Sequence, residues 1–137
     1  MNLSTLALIA LPLTLAFGAA CAGDAAKGEA EFKKCKACHS IIGADGAAIV
    51  KGGKTGPNLF GIMGKPVASS ADFKYGDGIL AAKAAGAVWD EDSLAAYVAD
   101  PGAWLQEVTG DAAAKSKMTF KLTKGAEDMS EYLETLK

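Results

Sequence analysis

The chain of 137 residues contains no arginine, a single histidine (His39) and three cysteines. Without a guanidinium it has no planar fork for two-point binding of a carboxylate or phosphate. With one histidine it cannot build a centre that needs two imidazoles. Net charge is also scarce: 14 lysines face 16 acids, leaving a formal charge of −2. Nucleic acid is therefore not an expected partner, because a polyanion-binding domain carries a strongly basic face. Internal repeats and low-complexity tracts are absent, and the length suits one domain.

Long apolar runs are confined to the first 22 residues, which hold no charged side chain. The run from Leu6 to Phe17 is broken by Pro12 and ends in Gly18-Ala19-Ala20-Cys21-Ala22. It is shorter than the roughly 20 apolar residues that span a bilayer, and it closes on small residues as a cleavable signal peptide does. Residues 1–22 are thus expected to be a signal peptide, and 23–137 the mature domain, exported to the periplasm without a permanent membrane anchor. Cys21 as a lipidation site is the rival reading, but Gly18 stands three residues upstream where a leucine is usual.

In the mature part, Asp24 is placed to cap a short helix running to Cys35. From Ser40 to Gly64 glycines dominate, and the pattern reads as a long irregular loop. Helical period returns after Asp90-Glu91-Asp92-Ser93, with Leu94, Tyr97 and Val98 on one face, and stops at Asp100-Pro101-Gly102. A short helix is expected over Ala103–Val108. A last one begins near Thr123 or Lys124, striping Met129, Tyr132, Leu133 and Leu136. No segment alternates long enough to predict a strand. The fold class is all-α, with short helices, long loops and a thin apolar core that needs something else at its centre.

Cys35-Lys36-Ala37-Cys38-His39 supplies that missing element. CxxCH is the attachment signal for a c-type haem. One helical turn separates two thiols that add to the vinyl groups of one porphyrin edge, and the next residue offers an imidazole to the iron. The competing readings are weaker. A zinc site would need a fourth ligand beyond Cys35, Cys38 and His39, a thioredoxin-like pair would need a strand leading in, and a Cys35–Cys38 disulfide leaves His39 unexplained. With His39 as one axial ligand, the other axial position is either open or filled by a methionine. Met118, in the non-helical stretch Lys115–Phe120, and Met63, in the glycine-rich loop, are the candidates. Met129 reads as helix packing.

The mature chain resembles the class I c-type cytochromes, most closely the large type of the bacterial cytochrome c2 branch. The resemblance rests on Gly28 and Phe32 before the haem motif, Lys54-Thr55-Gly56-Pro57-Asn58-Leu59, Phe73-Lys74-Tyr75, Trp89, Tyr97 before Asp100-Pro101, Lys117-Met118-Thr119-Phe120, and Tyr132-Leu133. It implies the cytochrome c fold wrapped around one haem c bound through Cys35 and Cys38, with His39 and Met118 on the iron. It further implies that Pro57 offers its carbonyl to His39, that Tyr75 and Trp89 hydrogen-bond a haem propionate, and that Tyr97 reaches the Met118 sulfur. Gly28 would let the first helix approach the last, with Phe32 packed on Met129 and Tyr132. The stretches Gly43–Gly53 and Trp104–Lys117 are longer than in short relatives. Lys65 stands where many have arginine, and a lysine cannot make the planar fork.

The function implied is electron carriage, not enzymatic turnover, with a cytochrome bc complex as donor and a photosynthetic reaction centre or terminal oxidase as acceptor. A monomer is expected. Lys115, Lys117, Lys121 and Lys124 form a run without acids, and Asp90, Glu91, Asp92, Asp100, Glu107 and Asp111 one without lysines. Lys33, Lys34, Lys36 and Lys54 lie beside the haem motif in sequence. Together the lysines are expected to form a basic docking ring that steers acidic partners. The alternative is a haem enzyme or sensor with a labile sixth site, reducing peroxide or binding a gas. That chemistry would call for a distal histidine or arginine, and neither is available.

Overall fold

The computed structural model describes residues 23–137; the expected signal peptide, 1–22, lies outside them. Among the described residues there are five α-helices, α1 Ala25–Glu31, α2 Asp77–Ala84, α3 Glu91–Ala99, α4 Pro101–Thr109 and α5 Ala126–Glu134. A two-stranded sheet, β1 Ile41–Ile42 and β2 Ala48–Val50, completes the regular structure. None of these helices is long and apolar enough to cross a membrane.

Three of the five helices begin at a capping side chain, while α2 and α5 begin at the uncapped glycines Gly76 and Gly125. The Asp24 carboxylate accepts from the N–H groups of Ala26 and Lys27. Asp90 and Ser93 exchange side-chain and backbone hydrogen bonds in a reciprocal box that starts α3. The Asp100 carboxylate takes the Ala103 N–H to start α4, with Pro101 in its first turn, where the missing N–H costs nothing. After α1 a single 3-10 turn, Phe32–Lys34, carries the chain into the cysteine motif.

Two elements were not foreseen in the pattern. Ile41 pairs with Val50 and Ile42 with Ala48, an antiparallel hairpin inside the stretch expected to be irregular. Its strands are two and three residues long, too short for alternation to register. A side chain extends it: Asn58 Oδ1 accepts from the Ile42 N–H, and Asn58 Nδ2 donates to the Ile42 carbonyl, both at 2.9 Å. The amide thus mimics a third strand. Helix α2 was missed because its alanines give no apolar stripe, and only Ala82 is buried.

The first and last helices cross at Gly28. A Cβ there would stand 1.9 Å from the Asp128 carbonyl oxygen and 2.7 Å from Tyr132 Cβ, so only hydrogen fits. Phe32 follows and packs on Tyr132 with ring centroids 5.9 Å apart, while the Asp24 N–H reaches the Asp128 carboxylate at 2.7 Å. Helix α3 lies along α5, where the buried Ser130 hydroxyl donates to the Glu91 carbonyl at 2.9 Å. The core they enclose contains Phe32, Leu94, Leu105, Leu122, Met129 and Leu133. Gly28→Ala is expected to lower stability by about 1–3 kcal/mol through overpacking. Glu29→Ala, one exposed position on, should change it by no more than about 0.5 kcal/mol. Thermal unfolding of the two variants compares them, and equal shifts would contradict a close helix crossing.

Candidate functional site

The chain continues helically through the cysteine motif. Cys35 N–H donates to the Phe32 carbonyl, and the N–H groups of Cys38 and His39 both return to the Cys35 carbonyl, at 3.1 and 3.0 Å. That places the two cysteines one turn apart, Cys35 half-buried and Cys38 exposed.

The glycine-rich segment after β2 is pressed against this turn. Gly53 N–H donates to the Lys36 carbonyl at 2.9 Å and Gly56 N–H to the Cys38 carbonyl at 2.8 Å. A Cβ at Gly56 would lie 2.3 to 2.7 Å from three atoms of the His39 ring, so the loop can run across the imidazole only because no side chain stands there. The next residue, Pro57, holds its carbonyl oxygen 2.8 Å from His39 Nδ1. The ring N–H therefore points to Pro57, and Nε2 keeps a free lone pair. Burial lowers the His39 pKa from its ordinary value against the opposing pull of that hydrogen bond. The neutral imidazole, the form that ligates metals, is the one favoured.

His39, Cys35 and Cys38 face a cavity of about 590 Å³, well within the range of cofactor pockets. Its apolar walls include Leu59, Phe60, Ile62, Ile79, Leu94 and Val98. Met118 and Met129 line it and Met63, though buried, does not. Two thiols, a neutral imidazole and a thioether around a large apolar cavity form the donor set a covalent haem requires.

Tyr75, Trp89 and Tyr97 also line the cavity. Tyr75 accepts the Ser70 N–H at 3.3 Å, which leaves its own proton free to donate. Trp89 is fixed by its backbone, whose N–H donates to Lys65 and whose carbonyl accepts from Gly64. The Tyr97 hydroxyl is 3.4 Å from Ser116 Oγ, and Ser116 Oγ accepts the Met118 N–H at 3.0 Å. The tyrosine thus reaches the Met118 segment through Ser116.

Ser116 was not singled out from the sequence, although a serine two residues before a loop methionine is a recurrent side-chain-to-backbone turn. Ala68 was missed as well. It lines the cavity in a left-handed conformation, φ 52, with its carbonyl taken by Lys83 Nζ at 3.1 Å. No sequence signal marks an alanine for that conformation.

The lysines divide. Lys34, Lys65, Lys115 and Lys117 line the cavity, whereas Lys33, Lys54, Lys121 and Lys124 do not. Lys34 is paired with Glu31. Lys121 is bound to Asp100 at 2.6 Å, which holds the Asp100 carboxyl below its usual range. The basic run and the acidic run touch at this pair, because the segment after Met118 folds back onto the start of α4.

No family model matches the chain. It is 52% identical over 136 residues to cytochrome c2 of Rhodobacter capsulatus, covering 99% of this chain and 98% of that protein. It is 60% identical over 113 residues to cytochrome c-550 of Paracoccus pantotrophus, covering 81% and 84%. Among solved structures, cytochrome c2 of Rhodobacter capsulatus superposes with a TM-score of 0.80 at 56% identity, over 82% of this chain and 97% of that one. Cytochrome c2 of Paracoccus denitrificans gives 0.80 at 52%, over 82% and 95%. A likeness this close, running through most of each relative, shows that the chain belongs to the cytochrome c2 and c-550 family of class I c-type cytochromes, electron-transfer proteins with one covalently attached haem c.

Proposed function

We propose that the protein is a periplasmic carrier that moves single electrons from a cytochrome bc complex to a photosynthetic reaction centre or terminal oxidase. In this reading the apolar leader, 1–22, directs export and is cleaved after Ala22. Cys35 and Cys38 would hold the haem by thioether bonds, and His39 and Met118 would ligate its iron. The observation that carries the reading is one cavity lined by both a neutral imidazole, oriented through Pro57, and the thioether of Met118.

The haem, when bound, supplies a one-electron iron couple. What the chain does is set that couple and insulate it. The Pro57 carbonyl fixes the tautomer and direction of His39 and raises its basicity. A thioether is a soft donor that favours ferrous iron, so Met118 as ligand would raise the reduction potential and leave no open site for a substrate. The apolar walls keep water from the iron, which limits reorganisation during transfer. Tyr75 and Trp89 hold donors that suit a propionate carboxylate. Lys115 and Lys117 at the cavity place positive charge where an acidic partner would dock. Lys33, Lys34, Lys54, Lys121 and Lys124 belong to the wider docking set, with Lys34 and Lys121 weakened by their carboxylate partners.

Met118→Ala is expected to leave the haem attached, abolish the weak sulfur-to-iron absorption band of the oxidised protein, lower the potential and admit carbon monoxide or cyanide. Met63→Ala and Met129→Ala should keep the band. A band that survives Met118→Ala and disappears in either of the others would refute the ligand assignment.

Association with an acidic redox partner should slow steeply with added salt, since charges are screened beyond about 8 Å at physiological ionic strength. Lys117→Glu should slow it several-fold at low salt. Lys121→Glu should do less, because its charge already faces Asp100, and Asp92→Asn should do little. Stopped-flow electron transfer across a salt series measures all three, and a flat salt profile would remove the docking role of the lysines.

A further inference from the structure

Trp104, on α4, is 5% exposed and does not line the cavity, and nothing in the carrier function described above makes use of it. It stands nevertheless against two of the aromatic residues that line the cavity, Trp89 and Tyr97. Its indole stacks on Trp89 with centroids 5.4 Å apart and planes 25° from parallel. It meets the Tyr97 ring edge-on, at 5.4 Å and 82°. Trp89 and Tyr97 close the triangle at 5.0 Å and 58°. All three separations fall in the range in which ring quadrupoles favour offset and edge contacts, so each ring's orientation is set by the other two.

From Tyr97 the contact continues to the proposed ligand. Its hydroxyl meets Ser116 Oγ, which accepts the Met118 N–H. Removing Trp104's flat face would free the Tyr97 ring to tilt. A tilt carries the hydroxyl at its far end away from Ser116, and the backbone of Met118 then loses its support.

We propose that Trp104 is a positioning residue that holds Met118 on the iron through the Tyr97 ring and Ser116 while itself remaining outside the haem cavity. This rests on the reading of Met118 as axial ligand. The grip on Met118 is read by titrating the oxidised holoprotein with imidazole, which displaces the thioether and erases the sulfur-to-iron band.

Trp104→Leu keeps apolar bulk without a ring and is expected to tighten apparent imidazole binding about tenfold, the scale of two lost ring contacts. Trp104→Phe keeps a smaller ring and should fall between it and the native protein, at roughly threefold. Leu105→Val is the control: Leu105 is fully buried on the same helix and belongs to none of the three ring pairs. It should lower the unfolding temperature without changing imidazole binding.

If Trp104→Leu does not accumulate as folded holoprotein, Trp104→Phe decides alone, with unchanged binding overturning the proposal. Equal effects of Trp104→Leu and Leu105→Val would also overturn it, reducing Trp104 to core packing. A native protein with no sulfur-to-iron band would instead refute Met118 as ligand, which keeps the two failures distinct.

Discussion

The hydrogen bond between His39 Nδ1 and the Pro57 carbonyl is the contact on which the other parts of the site depend. It requires a backbone to lie flat against an imidazole, and that is possible only where residue 56 has no side chain. The bonds from Gly53 and Gly56 to the carbonyls of Lys36 and Cys38 then lock loop and motif into one unit. Asn58, one residue further, ties the same loop to β1. The hairpin, the glycine loop and the cysteine turn are thus a single rigid block that presents Nε2 to the cavity.

The Met118 side of the cavity is built on a different principle. Met118 is half-buried in a segment without regular structure, so its position is fixed by side chains from elsewhere. Ser116 takes its N–H, Tyr97 takes Ser116, and the stacked indoles take Tyr97. One wall is held by backbone hydrogen bonds, the other by aromatic packing and a hydroxyl relay. Backbone bonds fix geometry tightly, whereas a relay of side chains transmits small changes in packing.

This division also explains what the sequence made legible. Asp24 and Asp90 announce helix starts because capping is a local interaction between residues two or three apart, whereas Asp100, which reads as the stop of α3, also caps α4 and starts it two residues earlier than the pattern predicts. The CxxCH motif is legible for chemical reasons, since few residue types can hold a covalent haem. The hairpin and α2 carry too few residues or too little amphipathic contrast to reveal a period. The Tyr97–Ser116 contact and the Lys121–Asp100 pair join positions 19 and 21 residues apart. Such contacts follow from where the chain folds back, which no local pattern encodes. The glycines were visible as loop markers, but their role as points of close approach appears only once the opposing backbone is placed.

The crossing of α1 and α5 at Gly28 makes the fold's tightest helix contact also one of its most distant in sequence. Their contact closes a loop of about a hundred residues, and by the logarithmic scaling of loop entropy that closure costs on the order of 4 kcal/mol. A single backbone cut anywhere between the two helices would turn this closure from an internal event into the meeting of two separate fragments, so the joint at Gly28 is where an intact chain matters most.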